Sequence, residues 1–437
     1  MPSRNIPALT GLRFFAAMAI VLWHSQTGYF FKYGAFAPFY LAGAVPLFFV
    51  LSGFVLTIGA DRYKSWSDFF VARIARVWPA HIAALVFLFC VFYPYSLDFL
   101  HHAQTLWRLA LNGLLLQAWS PIRADYWSYN APSWSVSCEL FFYAAFPMAF
   151  LALQRQTFTR TLAIVLIIFS AIVLTDTVRP GIDPNWLGSV LPVSAFAAFA
   201  VGIGAGVWRK ALPASSAGYL TGTVIQCGAL LAALVANALF ASHPIGSTPA
   251  GQSFVLLFGP VPFYATALLA LARYDGLVSR ALSNRAIVYG GEISYSIYLF
   301  HQIVIRWHSG ELATFSKVPI WLQYAGVLAV TLILAASVHH LVERPFRRWI
   351  IAGCKRLTAS FVTRRRAPPP PQGRADAPAS ADTPHVAAPP PPDAVADAAL
   401  RPKTAPPTHE AELASMAAET ERLSDATPSA RRVRFAP

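Results

Sequence analysis

A succession of long apolar segments occupies most of this sequence, from near the N-terminus to about residue 341. A helix needs roughly 17 to 25 mostly apolar residues to cross a bilayer. Ten segments meet this length, near residues 8–27, 38–60, 78–95, 134–153, 160–177, 188–208, 219–241, 252–272, 286–306 and 320–341. We therefore predict an all-α polytopic membrane protein with about ten transmembrane helices. The first helix is too long for a cleaved signal peptide, and we expect it to stay attached.

The composition agrees with this prediction, because 56% of the 437 residues are hydrophobic and only 12% are charged. The net charge of +14 could indicate a nucleic-acid partner. However, the basic residues lie between apolar segments and in the C-terminal tail rather than in one basic domain, so we expect no nucleic-acid partner. The four cysteines are scattered without metal or redox spacing, and we expect no metal site.

The distribution of Lys and Arg between alternate loops predicts the topology, since positive charge accumulates on the cytoplasmic side of short loops. One set of loops contains Arg62, Lys64, Arg73, Arg76, Arg155, Arg160, Arg209, Lys210, Arg273, Arg280, Arg285, Arg344, Arg347 and Arg348. The opposite set contains Lys32, Arg108, Arg123, Arg179 and Lys317. This asymmetry of roughly threefold predicts that both termini are cytoplasmic.

Two further segments have a different character. The stretch 105–119 is apolar but short and carries Arg108, Asn112 and Gln117, so it fits an interfacial or re-entrant helix better than a span. From residue 359 the composition changes to Pro, Ala and charged residues, which cannot form a core. We therefore expect a transmembrane domain over residues 1–358 and a disordered cytoplasmic tail over 359–437, without a catalytic role.

Ionisable residues inside the apolar segments indicate a functional site, because a charge in hydrocarbon usually faces a protein interior or a water-filled cavity. Arg13 and His24 are eleven residues apart in the first segment. This spacing places both on one helix face about 16 Å apart, so we expect them to line one cavity. A histidine there is the natural general base for a hydroxyl or thiol. The alternative is a histidine near a helix end that bonds a neighbour.

Arg73 and Arg76 lie at i and i+3 on the helical approach to Pro79, so they share one face at the predicted cytoplasmic boundary. Paired guanidinium groups suit a phosphate-bearing ligand. The positive-inside rule alone would also explain them, and the pattern leaves both interpretations open.

In the stretch PSWSVSCELFFY, Ser135 and Glu139 share a face at i and i+4. The carboxylate could orient a histidine, hold a substrate hydroxyl or pair with an intramembrane arginine.

Ser294, Tyr298 and His301 form a polar stripe on the ninth predicted span, a pattern that more often joins helices than binds substrate. Glu343, Arg344 and Pro345 end the tenth span and are interpreted as a boundary signal.

Taken in order, these segments resemble the acyltransferase-3 family of integral membrane acyltransferases, which is related to O-antigen and other polysaccharide O-acetylases. The matching segments are TGLRFFAAMAIVLWH (10–24), PLFFVLSGF (46–54), FFVARIARVWP (69–79), PSWSVSCELFFY (132–143), SYSIYLFHQ (294–302) and the 343–345 terminus. The resemblance covers about residues 5 to 350, and six ordered motifs make chance an unconvincing explanation.

The resemblance implies transfer of an acyl group, with acetyl favoured, from cytoplasmic acyl-CoA to a hydroxyl of a cell-surface or exported glycan or of a lipid-linked saccharide. His24 matches the family's catalytic histidine and Arg13 the arginine that accompanies it, while Arg73 and Arg76 match the paired arginines that engage the donor. We add Glu139 as a catalytic partner that steadies a charged His24. Four residues are assigned to substrate binding: Trp134, Ser135, Tyr298 and His301.

The expected location is the inner membrane of a bacterial-type cell, with membrane lipids around the helices and no bound cofactor besides the acyl-CoA substrate. The strongest alternative is a transporter or flippase for a glycan or lipid-linked substrate, because ten spans with intramembrane charges also describe many carriers. We find no convincing internal repeat of the kind that carriers often show, although Gly202, Gly204 and Gly206 could loosen the sixth span.

Overall fold

A computed structural model describes residues 6–27, 41–63, 65–92, 103–154, 157–213, 215–311, 314, 315 and 317–354. The regular secondary structure of these residues is helical, and no strand occurs among them. The predicted disordered tail, 359–437, lies outside the described residues. So does the end of the predicted transmembrane domain after residue 354.

Fifteen α-helices are formed in the described part of the chain. In order they are α1 Pro7–Thr27, α2 Ala44–Ile58, α3 Trp66–Phe92, α4 Ala103–Gly113, α5 Arg123–Tyr126, α6 Trp134–Leu153, α7 Thr157–Val178, α8 Pro192–Ala211, α9 Tyr219–Ser242, α10 Pro249–Phe258, α11 Val261–Arg273, α12 Leu277–Leu282, α13 Arg285–Glu292, α14 Ser294–Gly310 and α15 Ile320–Val338. After α15 the chain continues through a π-helical stretch, His339–Glu343, and remains helical to residue 354.

Nine segments within the described residues are long and apolar enough to cross a membrane. They coincide with nine of the ten predicted spans, and α14 occupies the position of the remaining one. This helix has 17 residues and is preceded directly by α13. The prediction of an all-α polytopic membrane protein is confirmed.

Two spans differ in detail from the prediction. The third predicted span starts at residue 78, but α3 starts at Trp66 and runs through Pro79, so Arg73 and Arg76 lie well inside the helix. The eighth predicted span is divided into α10 and α11 around Gly259 and Pro260. A proline lacks the backbone N–H that an uninterrupted helix would need at this point.

Small residues allow α2 and α8 to pack closely at the centre of the molecule. A Cβ atom added to Gly53 would lie 2.3 Å from the Phe199 backbone oxygen, and one added to Gly202 would lie 2.1 Å from that of Val50. Such contact between backbones is typical of small-residue interfaces in membrane proteins. The expectation that the glycines of the sixth span loosen it is therefore wrong, because they tighten its packing.

The degree of burial separates central from peripheral spans. In the segment Trp186–Ala211, which contains α8, 72% of the most apolar 18-residue stretch is buried. In Thr157–Val178, which forms α7, the corresponding value is 17%. Thus α8 lies in the interior, and α7 presents its apolar surface outward, as expected for a helix in contact with lipid. The helix α4 has 11 residues, too few to cross a bilayer, in agreement with the prediction that this segment is not a span.

Candidate active site

A cavity with about 720 Å³ of empty space, part of it open to the outside, lies between α1, α2, α3, α6 and α14. Apolar side chains of α2 form much of its wall, including Val45, Phe48 and Phe49. The polar residues that line it are Arg13, Ser52, Arg73, Arg76, Ser135, Glu139, Tyr143, Ser294, Tyr295 and Tyr298. Five helices, from α1 near the N-terminus to α14, therefore contribute polar groups to one space.

Three arginines face this cavity from two helices, and one of them is held by aromatic residues. Arg73 donates a hydrogen bond to the Tyr63 hydroxyl, and its guanidinium carbon lies 5.6 Å from the centre of the Tyr63 ring and 5.8 Å from that of Phe69. The Nε atoms of Arg13 and Arg73 are buried without a hydrogen-bond partner among the described residues. The described residues therefore leave part of the hydrogen-bonding capacity of these two arginines unused.

Glu139 is the carboxylate that faces the arginines in the cavity. Its Oε1 atom accepts hydrogen bonds from the hydroxyls of Tyr143 and Ser52, the latter at 3.2 Å. Arg13 has Arg76, Glu139 and Glu343 as its charged neighbours. The cavity thus contains three guanidinium groups and one lining carboxylate, which leaves an excess of positive charge.

The polar stripe of α14 connects this helix to α6 and α1. The Tyr298 hydroxyl lies 2.7 Å from the Ser135 hydroxyl and donates to the Pro132 carbonyl at 2.8 Å. One turn further on, the Nε2 atom of His301 lies 2.9 Å from the Nδ1 atom of His24. Through these contacts the polar stripe joins α14 to its neighbouring helices. Ser135 and Tyr298 also line the cavity, which is the location expected for substrate-binding residues.

The structure places Arg13 and His24 in different surroundings, although both lie on α1. Arg13 lines the cavity, whereas His24 is not among the lining residues and contacts His301 instead. The two residues are about three helical turns apart, or about 16 Å. Of the two residues, the described part of the chain thus places only Arg13 on this cavity.

Two other assignments also differ from the geometry. Glu139 lies near Arg13 and bonds Ser52 and Tyr143, so it is not placed to steady a charged His24. Trp134 does not line the cavity; its ring packs edge-on against Phe49 with centroids 6.1 Å apart. The structure places this tryptophan in the aromatic core rather than in contact with a substrate in the cavity.

The sequence interpretation missed a buried histidine–carboxylate pair in the π-helical stretch that follows α15. Glu343 is 4% exposed and His339 6% exposed, and the Nδ1 atom of His339 lies 2.9 Å from the Oε2 atom of Glu343. The Ser296 hydroxyl approaches the same oxygen at 3.5 Å. Glu343 is therefore an interior group beside α14, not merely a boundary signal. Its position in an intramembrane segment was the signal that could have revealed it.

The fold and the cavity define a class of protein: a multi-pass membrane protein with a positively charged chamber among its helices. The chain belongs to the acyltransferase-3 family, because the family model, described as an acyltransferase domain, matches residues 6–340. No solved structure matches the chain.

Several proteins are similar to most of this chain. The "Acyltransferase MdmB" of Streptomyces mycarofaciens is 29% identical over 381 residues, which are 80% of this chain and 94% of that protein. The "Exopolysaccharide production protein ExoZ" of Rhizobium meliloti (strain 1021) is 26% identical over 79% of this chain and 99% of its own length. The "Putative peptidoglycan O-acetyltransferase YrhL" of Bacillus subtilis (strain 168) is 26% identical over 79% of this chain and 55% of its own length.

The family and these relatives identify the chain as a membrane O-acyltransferase. The resemblance deduced from the motifs is thereby confirmed. The transporter or flippase hypothesis is not favoured, because the family accounts for nearly the whole membrane domain.

Proposed function

We propose that this protein transfers an acyl group, with acetyl favoured, from acyl-CoA to a hydroxyl of a cell-surface or exported glycan or of a lipid-linked saccharide. The choice of acyl-CoA as the donor rests on the convergence of Arg13, Arg73 and Arg76 on one cavity. The phosphates of coenzyme A are polyanionic, and guanidinium groups with free donors are well suited to bind them. The names of the peptidoglycan and exopolysaccharide relatives support the glycan acceptor.

The spacing of Arg13 and His24 along α1 fits an elongated donor. With the phosphates of acyl-CoA near Arg73 and Arg76, its pantetheine arm would extend along α1 toward His24, about 16 Å from Arg13. The predicted topology has α1 running outward from the cytoplasm. Donor would then enter from the cytoplasmic side, and transfer would occur toward the opposite face of a bacterial-type inner membrane, where exported glycans are found.

In this mechanism His24 acts as the general base. One imidazole nitrogen takes the proton of the acceptor hydroxyl while the hydroxyl oxygen attacks the thioester carbonyl carbon. The tetrahedral intermediate then collapses, the C–S bond breaks, and the thiolate of coenzyme A receives the proton from the imidazolium. The products are an O-acyl ester and free coenzyme A, and the histidine returns to its neutral form.

The test is acyl transfer from radiolabelled acetyl-CoA to cell-envelope glycans, in membranes that contain wild type or His24→Ala. We expect transfer with wild type and a loss of about 10²-fold or more in the variant, the range of a general base. The control is His243→Ala, which removes an exposed histidine at the end of α9. Folding of each protein is checked by size-exclusion chromatography. Equal labelling with wild type and a folded His24→Ala variant would remove His24 from the mechanism.

A further inference from the structure

The hydrogen bonds of His301 determine which of its ring nitrogens carries the proton. His301 lies in α14 and is fully buried. Its Nδ1 atom lies 2.7 Å from the Tyr298 carbonyl oxygen and 3.3 Å from that of Ile297. A carbonyl oxygen only accepts hydrogen bonds. The Nδ1 atom must therefore be the protonated nitrogen of His301.

The other nitrogen of His301 then acts as an acceptor. In a neutral imidazole with a protonated Nδ1, Nε2 carries a lone pair. A doubly protonated ring at this buried position would need a compensating partner, and no carboxylate of the described residues forms an ion pair with His301. The hydrogen bond of 2.9 Å between the two histidines is therefore donated by His24 Nδ1 to His301 Nε2.

From this geometry we infer that His301 is a positioning residue. Together with the Ile20 backbone, which is a second hydrogen-bond partner of His24, it holds His24 in the tautomer with its proton on Nδ1 and leaves Nε2 as the basic atom. This inference rests on the proposed role of His24 as general base. The acceptor proton goes to His24 Nε2 and from there to the departing thiolate of coenzyme A, while His301 keeps its own proton throughout. It performs the orienting task that a carboxylate performs in a Ser-His-Asp triad.

Because His301 is neutral, it should stabilise a protonated His24 only weakly. A carboxylate beside a histidine stabilises the imidazolium strongly, whereas the lone pair of a neutral imidazole does so less. Within the described residues, the titratable groups that form a hydrogen bond, an ion pair or a ring contact with His301 are His24 and Tyr298, whose ring centroid is 5.8 Å away. A carboxylate introduced at position 301 would therefore act on His24 almost alone.

The experiment compares three substitutions of His301 in purified protein, by steady-state kinetics with acetyl-CoA and a glycan acceptor. His301→Ala should lower kcat by about 10²-fold with KM for acetyl-CoA changed by less than about twofold, because the base is misoriented while donor binding is intact. His301→Gln supplies a side-chain oxygen that can accept a hydrogen bond from His24 Nδ1. Its kcat should therefore be at least about tenfold higher than that of His301→Ala. His301→Glu should move the acidic limb of the kcat–pH profile to higher pH.

A spectroscopic measurement reports the tautomer itself. Solid-state NMR of protein with ¹⁵N-labelled histidine should assign the His24 resonances to the Nδ1–H form in wild type. In His301→Ala this signal should be lost or mixed with the Nε2–H form. The control is His308→Ala, which removes another buried histidine of α14, one that stacks on Phe315 with ring centroids 5.2 Å apart. We expect this control to leave the His24 signal unchanged.

The outcomes separate this inference from the proposed function. If His24→Ala abolishes transfer while His301→Ala and His301→Gln have equal kcat values and the pH profile of His301→Glu is unshifted, His301 has only a structural role and the inference is wrong. An Nε2–H signal for His24 in wild type would also overturn it. If a folded His24→Ala protein remains active, the proposed base is wrong, whatever the His301 variants do.

Discussion

Arg13 and Glu139 carry opposite charges in the same cavity without forming a direct ion pair. Among the described residues, the carboxylate bonds two hydroxyls and the Nε atom of Arg13 has no acceptor. A buried unpaired donor is costly. A bound anion that accepts hydrogen bonds from Arg13 and Arg73 would offset part of this cost.

The hydroxyls around Glu139 allow its structural role to be measured. Glu139→Gln keeps an oxygen that can accept from Tyr143 and Ser52, so the free energy of unfolding should change little. Glu139→Leu leaves both hydroxyls without their acceptor and should destabilise the protein by about 1–3 kcal/mol. Thermal unfolding in detergent compares the two variants. A Leu variant as stable as the Gln variant would contradict this role.

The paired arginines of α3 provide a second prediction. Arg76→Gln should raise KM for acyl-CoA by about 10- to 100-fold, the value of one or two charge-assisted hydrogen bonds, while kcat falls less. The control is Arg285→Gln, which removes an exposed arginine at the start of α13. Equal KM values for wild type and Arg76→Gln would leave the positive-inside rule as the explanation for Arg76.

The sequence predicted which residues belong to the site better than it predicted which of them lie in the same cavity. Arg13, Arg73, Arg76 and Glu139 were each indicated by an ionisable group in an apolar segment or by helical spacing, and the structure brings them to one cavity. The separation of His24 from this group could not be predicted. It depends on which helix packs beside each turn of α1, and helical periodicity contains no information about that neighbour.

Helix ends were predicted less accurately than helix positions. The start of α3 was placed too late because charged residues were excluded from the span. Yet Ser65 accepts a hydrogen bond from the Asp68 backbone N–H at 3.1 Å, which is the N-cap arrangement of a helix that starts at Trp66. The sequence SWSD carried this signal, and hydropathy alone overlooked it.

The contact between α2 and α8 provides a test of helix packing. Gly202→Ala places a methyl group against the backbone of Val50 and should destabilise the protein by about 1–3 kcal/mol through overpacking. The control is Gly228→Ala in α9, where nothing lies within 4 Å of the added Cβ and helix propensity favours alanine. Thermal stability that is equal in the two variants would argue against a close α2–α8 contact.

For the whole molecule, the predicted topology determines the direction of acyl transfer across the membrane. With both termini cytoplasmic, the loop that contains Ser215 is cytoplasmic and the loop that contains Ser247 is on the opposite side. We expect a membrane-impermeant maleimide to label Ser247→Cys but not Ser215→Cys in intact spheroplasts. The background is a protein in which Cys90, Cys138, Cys227 and Cys354 are replaced by Ser. The reverse labelling pattern would invert the proposed direction of transfer.

The fold could be predicted from the sequence almost completely, since a bilayer leaves a chain few ways to satisfy its backbone polar groups. Length and apolarity were enough to place nine spans, and α14 was found in spite of His301 and Arg306 because most of residues 297–305 are apolar. The relative rotation and contacts of these helices could not be obtained in that way. They depend on close approaches such as Gly53 to Phe199, which appear only when two distant segments are brought together.

The short, polar α14 has a consequence for how the protein is made. Most of this helix is buried among its neighbours, with two histidines, a glutamine and an arginine along its 17 residues. Such a segment is a poor substrate for membrane insertion alone, because each polar side chain adds to its transfer cost. We expect its entry into the bilayer to depend on helices that are already present, α1 among them, so that insertion of α14 and formation of the histidine pair occur together.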